Sequence, residues 1–440
     1  MCQMLEAVVA PAAAGDPPRS ADRAPADSAR AASAAGRGGL PLHLEDALRL
    51  ALRDNWDLRS ARAAVATAEA GLRAARAHPN PQLAALVSRI HADGHDATDL
   101  GNDLWSRSYD TVIQLGQELD FGTRGARSGA ARAGVDAARA RLADERRTLV
   151  AATTRTYVAA ALAEADASIA RQSAGYLSGE ARIAEARWQA GDISRSDRDQ
   201  IEIAASRLEL DARNAEAGAR AQRIVLERLL GLPQPAGELI LADSLEALAE
   251  RASAPAGTAP AAERADLAAA RADLRRADEQ LRLERRERLP DPTLLGQVEH
   301  EPPIRTNSIG LGLSFPLPLW NLNGGAIAAA DVERDEAARA VGRIEAEIAS
   351  DIATARVGFD EAVTRWRRYH DELRPRADEV RRTVSLAYER GGASLLDLLE
   401  AQRSDNDVRL AAMQAAGDAA DAAATLAAAL APMTAEAARP

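Results

Sequence analysis

Apolar residues recur at two different spacings along this chain, and the spacing changes at proline and glycine clusters. From Leu44 onward they recur every three or four positions, which predicts an amphipathic helix to about Ala77, ended by Pro79. Between 108 and 117 alternate side chains point to opposite faces, and the same pattern returns between 308 and 315. A period of two predicts β-strands, so the chain combines long helices with a few short strands.

A seven-residue segment from the middle of the chain returns near its end. Trp188–Ser194 reads WQAGDIS, and Tyr388–Ser394, 200 positions later (388 − 188), reads YERGGAS. A second pair of segments also matches, HPNPQL at 78–83 and LPDPTL at 289–294. An internal repeat of this length predicts two equivalent halves. Each half reads helix, strand, strand, very long helix, tight turn, helix.

The repeat and the composition together divide the chain into five segments. The first is rich in Ala, Pro, Gly, Ser and Arg without periodicity, which is typical of a leader or a disordered segment. The linker between the halves contains one short helix near Leu245 to Ala252. The predicted segments are the leader 1–41, the first repeat 42–232, the linker 233–260, the second repeat 261–432 and a tail 433–440.

The long helices are the dominant elements. A helix from Ala126 to Ala190 would measure roughly 100 Å, with Gly175 and Gly179 as its candidate interruptions. The corresponding helix of the second half is expected to bend at Pro375, because proline removes a helical hydrogen bond.

The composition argues against several classes of protein. The net charge of -11 argues against nucleic acid as a partner, since phosphates require a basic surface. A transmembrane helix needs a run of about 18 to 20 apolar residues, and the sequence contains no such run. The single cysteine, Cys2, excludes an internal disulfide; it is a candidate lipidation site, although an incidental thiol is the favoured interpretation.

Four strands in one chain set a geometric requirement. A transmembrane β-barrel has at least about eight strands, and an open sheet in lipid would leave unpaired backbone groups at its edges. If the strands cross a membrane, several chains must therefore pool them. Three chains would supply twelve strands.

Several motifs resemble the TolC-like outer-membrane efflux factors, and within them the heavy-metal cation branch of the cobalt–zinc–cadmium type. The resemblance covers about 42–431, and the PLPLWNLN segment at 316–323 is its most specific part for the metal branch. The other matching segments are LEDALRLAL at 44–52, QELDFGTRG at 117–125, ERLPDPT at 287–293, YERG at 388–391 and LLDLLEAQR at 395–403.

The resemblance implies a mainly α fold with a small β part. It implies a homotrimer in the outer membrane of a Gram-negative cell, with a twelve-stranded barrel in lipid and a helical tunnel through the periplasm. The implied partners are a periplasmic adaptor and a proton-driven inner-membrane pump of the resistance-nodulation-division class. Such a protein is a passive exit duct without a cofactor, not an enzyme, and its expected cargo is divalent heavy-metal cations.

Two groups of residues are candidates for functional sites. The resemblance assigns adaptor docking to the hairpin tips; the alternative is that their glycines serve turn geometry alone. The tip candidates are Trp188, Gly191, Asp192, Ser194, Tyr388, Arg390, Gly391 and Ser394. Nearby carboxylates are candidates for lining the tunnel and attracting cations, against the alternative of a solvated helix face. These are Asp197, Asp199, Asp397, Glu400, Asp405 and Asp407.

Three alternatives stay open at this point. His91 and His95, in the sequence HADGHD, resemble metal ligands, but a polar surface loop is the favoured interpretation. The duct could export organic compounds instead of metal ions. A soluble coiled-coil protein is the third alternative, and it predicts that the strands do not face lipid.

Overall fold

The computed structural model describes residues 41–88, 110–253, 263–301 and 306–431. Cys2, His91 and His95 lie outside the described residues. The helices are α1 Leu44–Asp54, α2 Trp56–Arg76, α3 Thr123–Gln189, α4 Arg195–Leu229, α5 Leu245–Ala252, α6 Ala265–Arg286, α7 Gly324–Arg368, α8 Arg374–Glu389 and α9 Leu395–Leu430. The strands are β1 Gln82–Ser88, β2 Asp110–Glu118, β3 Thr293–Glu301 and β4 Thr306–Ser314.

The four strands form one antiparallel sheet in the order β1-β2-β3-β4. The register places Leu115 of β2 opposite Leu83 of β1 and opposite Gly296 of β3, and Gly296 in turn lies opposite Leu311 of β4. Within the described part of the chain, the outer edges of β1 and β4 have no partner strand. The two halves of the sequence therefore contribute two neighbouring strands each to a single sheet.

The four helices that adjoin the sheet lie side by side in the same order as the strands. The chain passes from α2 into β1, from β2 into α3, from α6 into β3 and from β4 into α7. Helix α3 packs against α2 and α6, and α6 packs against α7. The molecule thus has four columns of one strand and one helix each. We call α2 with β1, and β4 with α7, the edge columns.

Helix α3 extends far beyond the sheet. Its 67 residues correspond to about 100 Å at 1.5 Å per residue. The expected interruption at Gly175 and Gly179 does not occur, because α3 runs through both positions without a break. Each glycine costs a helix about 1 kcal/mol, which the packing of α3 along α4, α6 and α9 outweighs.

The first helix ends earlier than its apolar spacing predicts. Asn55 leaves the helical conformation, with ψ at 136°, and separates α1 from α2. Its side-chain oxygen accepts a hydrogen bond from Leu58 N at 3.0 Å, and its Nδ2 donates to Leu229 O at 2.9 Å. A buried asparagine therefore caps α2 and also ties this break to the end of α4.

The second long helix changes its winding next to the predicted bend. Residues 369–373 form one π-helical turn between α7 and α8, and Pro375 lies in the first turn of α8. Because proline has no N–H to donate, the hydrogen-bond ladder is re-formed with a wider turn just before it.

The largest core lies at the level of α1 and α5, where these short helices meet α3, α4 and α9. Tyr157 is fully buried there, and its hydroxyl donates to Leu42 O at 2.7 Å. The Asp243 carboxylate accepts hydrogen bonds from Leu44 N at 2.8 Å and from Arg251, so it joins the linker to both short helices. We call this region the equator.

None of the described helices is both long enough and apolar enough to cross a membrane.

Candidate membrane sheet and hairpin tips

One face of the sheet is apolar and exposed. The register places every second residue of each strand on this face, and Ile309 and Leu311 at its β4 edge are 83% and 85% exposed. A monomeric water-soluble protein rarely exposes so large an apolar surface. The exposed apolar residues of this face are Leu83, Val87, Ile113, Leu115, Leu294, Val298, Ile309, Leu311 and Leu313.

The opposite face of the same strands is mainly polar. It presents Asp110, Gln114, Gln297, Glu299 and Ser308 at the alternate positions of the register, with Ala84, Leu86, Val112 and Leu295 as apolar exceptions. Strands of seven to nine residues with one apolar and one polar face match the pattern of a sheet between lipid and an aqueous lumen.

The joint between the sheet and the helices is held by side chains. Asp120 Oδ1 accepts a hydrogen bond from Arg124 N at 2.6 Å and so satisfies one of the free N–H groups in the first turn of α3. Arg286 donates to Phe121 O at 2.6 Å, and Phe121 N donates to Asp291 at 3.2 Å, which links the two middle columns. The sheet is therefore fixed to the helices rather than flexibly attached.

The two hairpin tips have the same backbone geometry. Gly191 and Gly391 have φ values of 86° and 75°, a region in which glycine is not strained. Behind each glycine the next residue closes the helix, since Asp192 N donates to Arg187 O and Gly392 N donates to Ala387 O, both at 2.8 Å. Both tips are thus Schellman motifs.

Each return helix begins with a capping box. Ser194 Oγ accepts from Asp197 N at 3.1 Å while Asp197 accepts from Ser194 N, and Ser394 and Asp397 repeat the arrangement. Hydrogen bonds from the Ser394 hydroxyl and from its backbone N–H lower the pKa of Asp397. Asp197 and Asp397 therefore have a local role in starting α4 and α9, beside any role in a tunnel.

The tips bring aromatic rings and guanidinium groups together. Arg198 lies over the Trp188 ring at 4.4 Å within the first hairpin, whereas Arg187 lies over the Tyr388 ring at 5.5 Å and so joins the two tips. Asp192 and Arg390 are exposed beside these pairs. The tips present a mixed polar and aromatic surface of the kind found at protein interfaces.

The carboxylates predicted to line a tunnel lie in three different environments. Asp199 pairs with Arg198 at 2.5 Å. Asp405 is only 2% exposed and pairs with Arg381 at 3.1 Å, so it is enclosed by the chain itself. Glu400 and Asp407 are exposed on one face of α9, where they border an open groove. The assignment of these carboxylates to a tunnel wall stays a prediction, and Glu400 and Asp407 are the two that border this groove.

Sequence reasoning missed a polar contact between the hairpins. The hydroxyls of Tyr176 in α3 and Ser385 in α8 are 2.8 Å apart. Burial raises the pKa of Glu180, which lies one turn from Tyr176; a hydrogen bond from Tyr176 opposes this, and the nearby charge of Glu389 adds to it. No motif marks these residues, because the contact depends on how α3 and α8 approach each other.

The described residues contain no group of three or more His, Cys, Asp or Glu side chains that could hold a metal ion.

Comparisons with known proteins agree with this architecture. The family model described as outer membrane efflux protein matches residues 47–232 and 260–431. The cobalt-zinc-cadmium resistance protein CzcC of Cupriavidus metallidurans is 27% identical over 403 residues, which cover 88% of this chain and 89% of that protein.

Solved channel structures share the fold. CusC superimposes with a TM-score of 0.70 at 18% identity, over 88% of this chain and 92% of CusC. The CmeC outer membrane channel of Campylobacter jejuni gives 0.69 at 18% identity, over 88% of this chain and 85% of CmeC. With the family model matched along both halves, the chain belongs to the outer membrane efflux protein family.

Proposed function

We propose that this protein is the exit duct of a tripartite efflux system, located in the outer membrane of a Gram-negative cell. The observation that supports this most directly is the sheet with one exposed apolar face at the end of helices about 100 Å long. The apolar face would meet lipid, and the polar face would line the exit.

Three copies would complete the duct. The outer edges of β1 and β4 lack partner strands in the described part of the chain, and unpaired backbone groups in lipid cost several kcal/mol each. Pairing β4 of one copy with β1 of the next closes three sheets into twelve strands. In this arrangement 42–232 and 261–432 act as two structural repeats joined by 233–260.

The hairpin tips would receive the periplasmic adaptor, through which an inner-membrane proton-driven pump delivers cargo. This proposal rests on the two Schellman turns and on the exposed groups beside them, Asp192 and Arg390. The duct performs no chemical step, so selection belongs mainly to the pump.

Divalent heavy-metal cations are the proposed cargo. The main support is the similarity along most of the chain to a cobalt-zinc-cadmium resistance protein. Glu400 and Asp407, exposed on one face of α9, add negative charge that would attract cations.

Deletion of the gene tests the cargo. We expect the deletion strain to become sensitive to zinc, cobalt or cadmium, and resistance to return when the intact chain is expressed. A strain carrying an empty vector is the control. Sensitivity to organic toxins alone would reject metal cargo and favour export of organic compounds.

Membrane fractionation tests the location. The chain should remain with outer membranes after a salt wash and be released by detergent as a trimer. Recovery as a water-soluble monomer would reject the duct and favour the coiled-coil alternative.

A further inference from the structure

A short apolar segment between β4 and α7 is exposed almost throughout. Phe315, Leu317, Leu319 and Trp320 are 55%, 71%, 65% and 93% exposed. Trp320 is the most exposed large apolar side chain among those described. Such a cluster marks a surface that another molecule covers. We call residues 315–320 the apolar knob.

The apolar knob is held in a defined position. Leu319 N donates to Leu317 O at 2.9 Å, and prolines at 316 and 318 restrict the backbone. Behind it, Asn323 adopts a left-handed conformation with φ at 58°, and its Nδ2 donates to Glu284 O at 3.0 Å. A restrained segment of this kind presents the same surface with little loss of conformational entropy on binding.

The knob belongs to an edge column, and the sheet register gives its level. Gln82 lies opposite Gly116, Gly116 opposite Leu295, and Leu295 opposite Gly312. The start of β1 and the end of β4 are therefore at the same end of the sheet. When β4 of one copy pairs with β1 of the next, the knob reaches the segment that precedes the neighbour's β1.

That preceding segment has small exposed side chains and a fixed end. At the end of α2 the exposed positions Ala70 and Ala74, and the C-cap residue Ala77, are small, so a bulky side chain can approach the backbone closely there. The end of the segment is also fixed, because Gln117 Nε2 donates to Pro79 O at 3.0 Å and Arg124 contacts the His78 ring at 2.6 Å.

We propose that the apolar knob packs on the end of α2 and on the prolines before β1 in the next copy of this chain, with Trp320 as its central side chain. A second copy is the occupant because closing the sheet places these two exposed surfaces together at one level. The contact is head-to-tail, so each copy gives one knob and receives one. The proposal rests on the proposed trimer.

Paired cysteines test this contact in membranes. In a Cys2→Ser background, we expect Leu319→Cys combined with Ala77→Cys to yield linked dimers and trimers with a short bismaleimide. Each single variant should stay monomeric on a denaturing gel, because a head-to-tail contact never joins two equivalent positions. Leu319→Cys combined with Gly125→Cys is the matched control, since Gly125 lies in the first turn of α3, in an inner column.

The contribution of the Trp320 side chain to the contact is tested by heating the trimer in detergent. Trp320→Ala should lower the temperature at which the trimer dissociates, and Trp320→Phe should restore part of it. If the trimer forms, but the paired cysteines do not link and Trp320→Ala does not lower the heat resistance, the inference about the knob is wrong while the proposed trimer stands. Quenching of tryptophan fluorescence by brominated lipid that is lost in Trp320→Phe would also overturn the inference and would identify lipid as the occupant, since the comparison separates Trp320 from the other four tryptophans. Failure of the unmodified chain to form a trimer would instead reject the proposed function.

Discussion

Gly231 shows how single residues hold the equator together. It follows α4 with φ at 82°, and a Cβ atom at this position would lie 2.3 Å from Asp54 O. The turn after α4 can therefore pack on the end of α1 only because no side chain is present. Gly218, inside α4, has open space around it and no such requirement.

These two glycines allow a matched comparison. Gly231→Ala should lower the melting temperature of the purified protein, because the backbones of two elements must separate and a left-handed conformation must accept a side chain. Gly218→Ala should raise it slightly, since alanine is better in a helix interior by about 1 kcal/mol. Equal effects of the two changes would contradict the packing argument.

Asp243 joins three segments through its carboxylate. Burial by itself would raise its pKa, but hydrogen bonds from Leu44 N, Arg251, His43 and Tyr157 lower the pKa to about 2. Since the ordinary value is 3.8, the carboxylate stabilises the fold fully above that pH, and the effect disappears as the pH falls toward 2.

We therefore expect Asp243→Asn to destabilise the protein at pH 7 by about 1 to 2 kcal/mol. The difference between the variant and the unmodified protein should shrink as the pH falls from 4 to 2, measured as urea-induced unfolding in detergent. Asp192→Asn, at an exposed tip position, is the control. A difference independent of pH would mean that the carboxylate charge is not responsible.

The sheet is the element whose two faces differ most. Leu311 lies on the apolar face, and Ser308 lies on the polar face of the same strand, three residues away. Both are exposed, so neither is needed for the core of the single chain.

Leu311→Arg should impair assembly in the outer membrane, because an arginine facing lipid near the midplane costs about 2 to 4 kcal/mol. Ser308→Arg introduces the same charge on the other face and should assemble normally. The yield of heat-resistant trimer in the membrane fraction distinguishes them. If both variants assembled equally well, the assignment of the faces would be wrong.

At the scale of the whole molecule, the proposed duct predicts that the charges along its wall influence which ions pass. Glu400 and Asp407 are exposed on one face of α9, with Arg403 between them. In a trimer each position is present three times, so a modest charge per chain becomes a ring.

Glu400→Gln combined with Asp407→Asn should lower the preference of the reconstituted channel for cations over anions. The reversal potential across a planar bilayer under a salt gradient measures this preference. The buried Asp405 is a poor target, because removing it would disrupt a network inside the chain in which Arg381 and Arg409 pair with both Asp405 and Asp378. Unchanged selectivity would place Glu400 and Asp407 outside the conduction path.

The sequence by itself determined the order of elements. Period-two stretches, helical spacing and the WQAGDIS and YERGGAS tips predicted four strands and two long hairpins, because these patterns are local properties of the chain. The family was also recognisable, since its motifs occur in order along both halves.

Only the tertiary structure decided which predicted features have consequences. Gly175 and Gly179 do not interrupt α3, because the packing contacts along a 67-residue helix outweigh the local cost of two glycines. Asn55 does separate two helices, and there Leu229 O accepts a hydrogen bond from its side chain. Likewise Asp405 and Glu400 look alike in sequence, yet one is enclosed by arginines and the other is exposed. Burial depends on neighbours that are distant in the chain, and the local pattern contains no information about them.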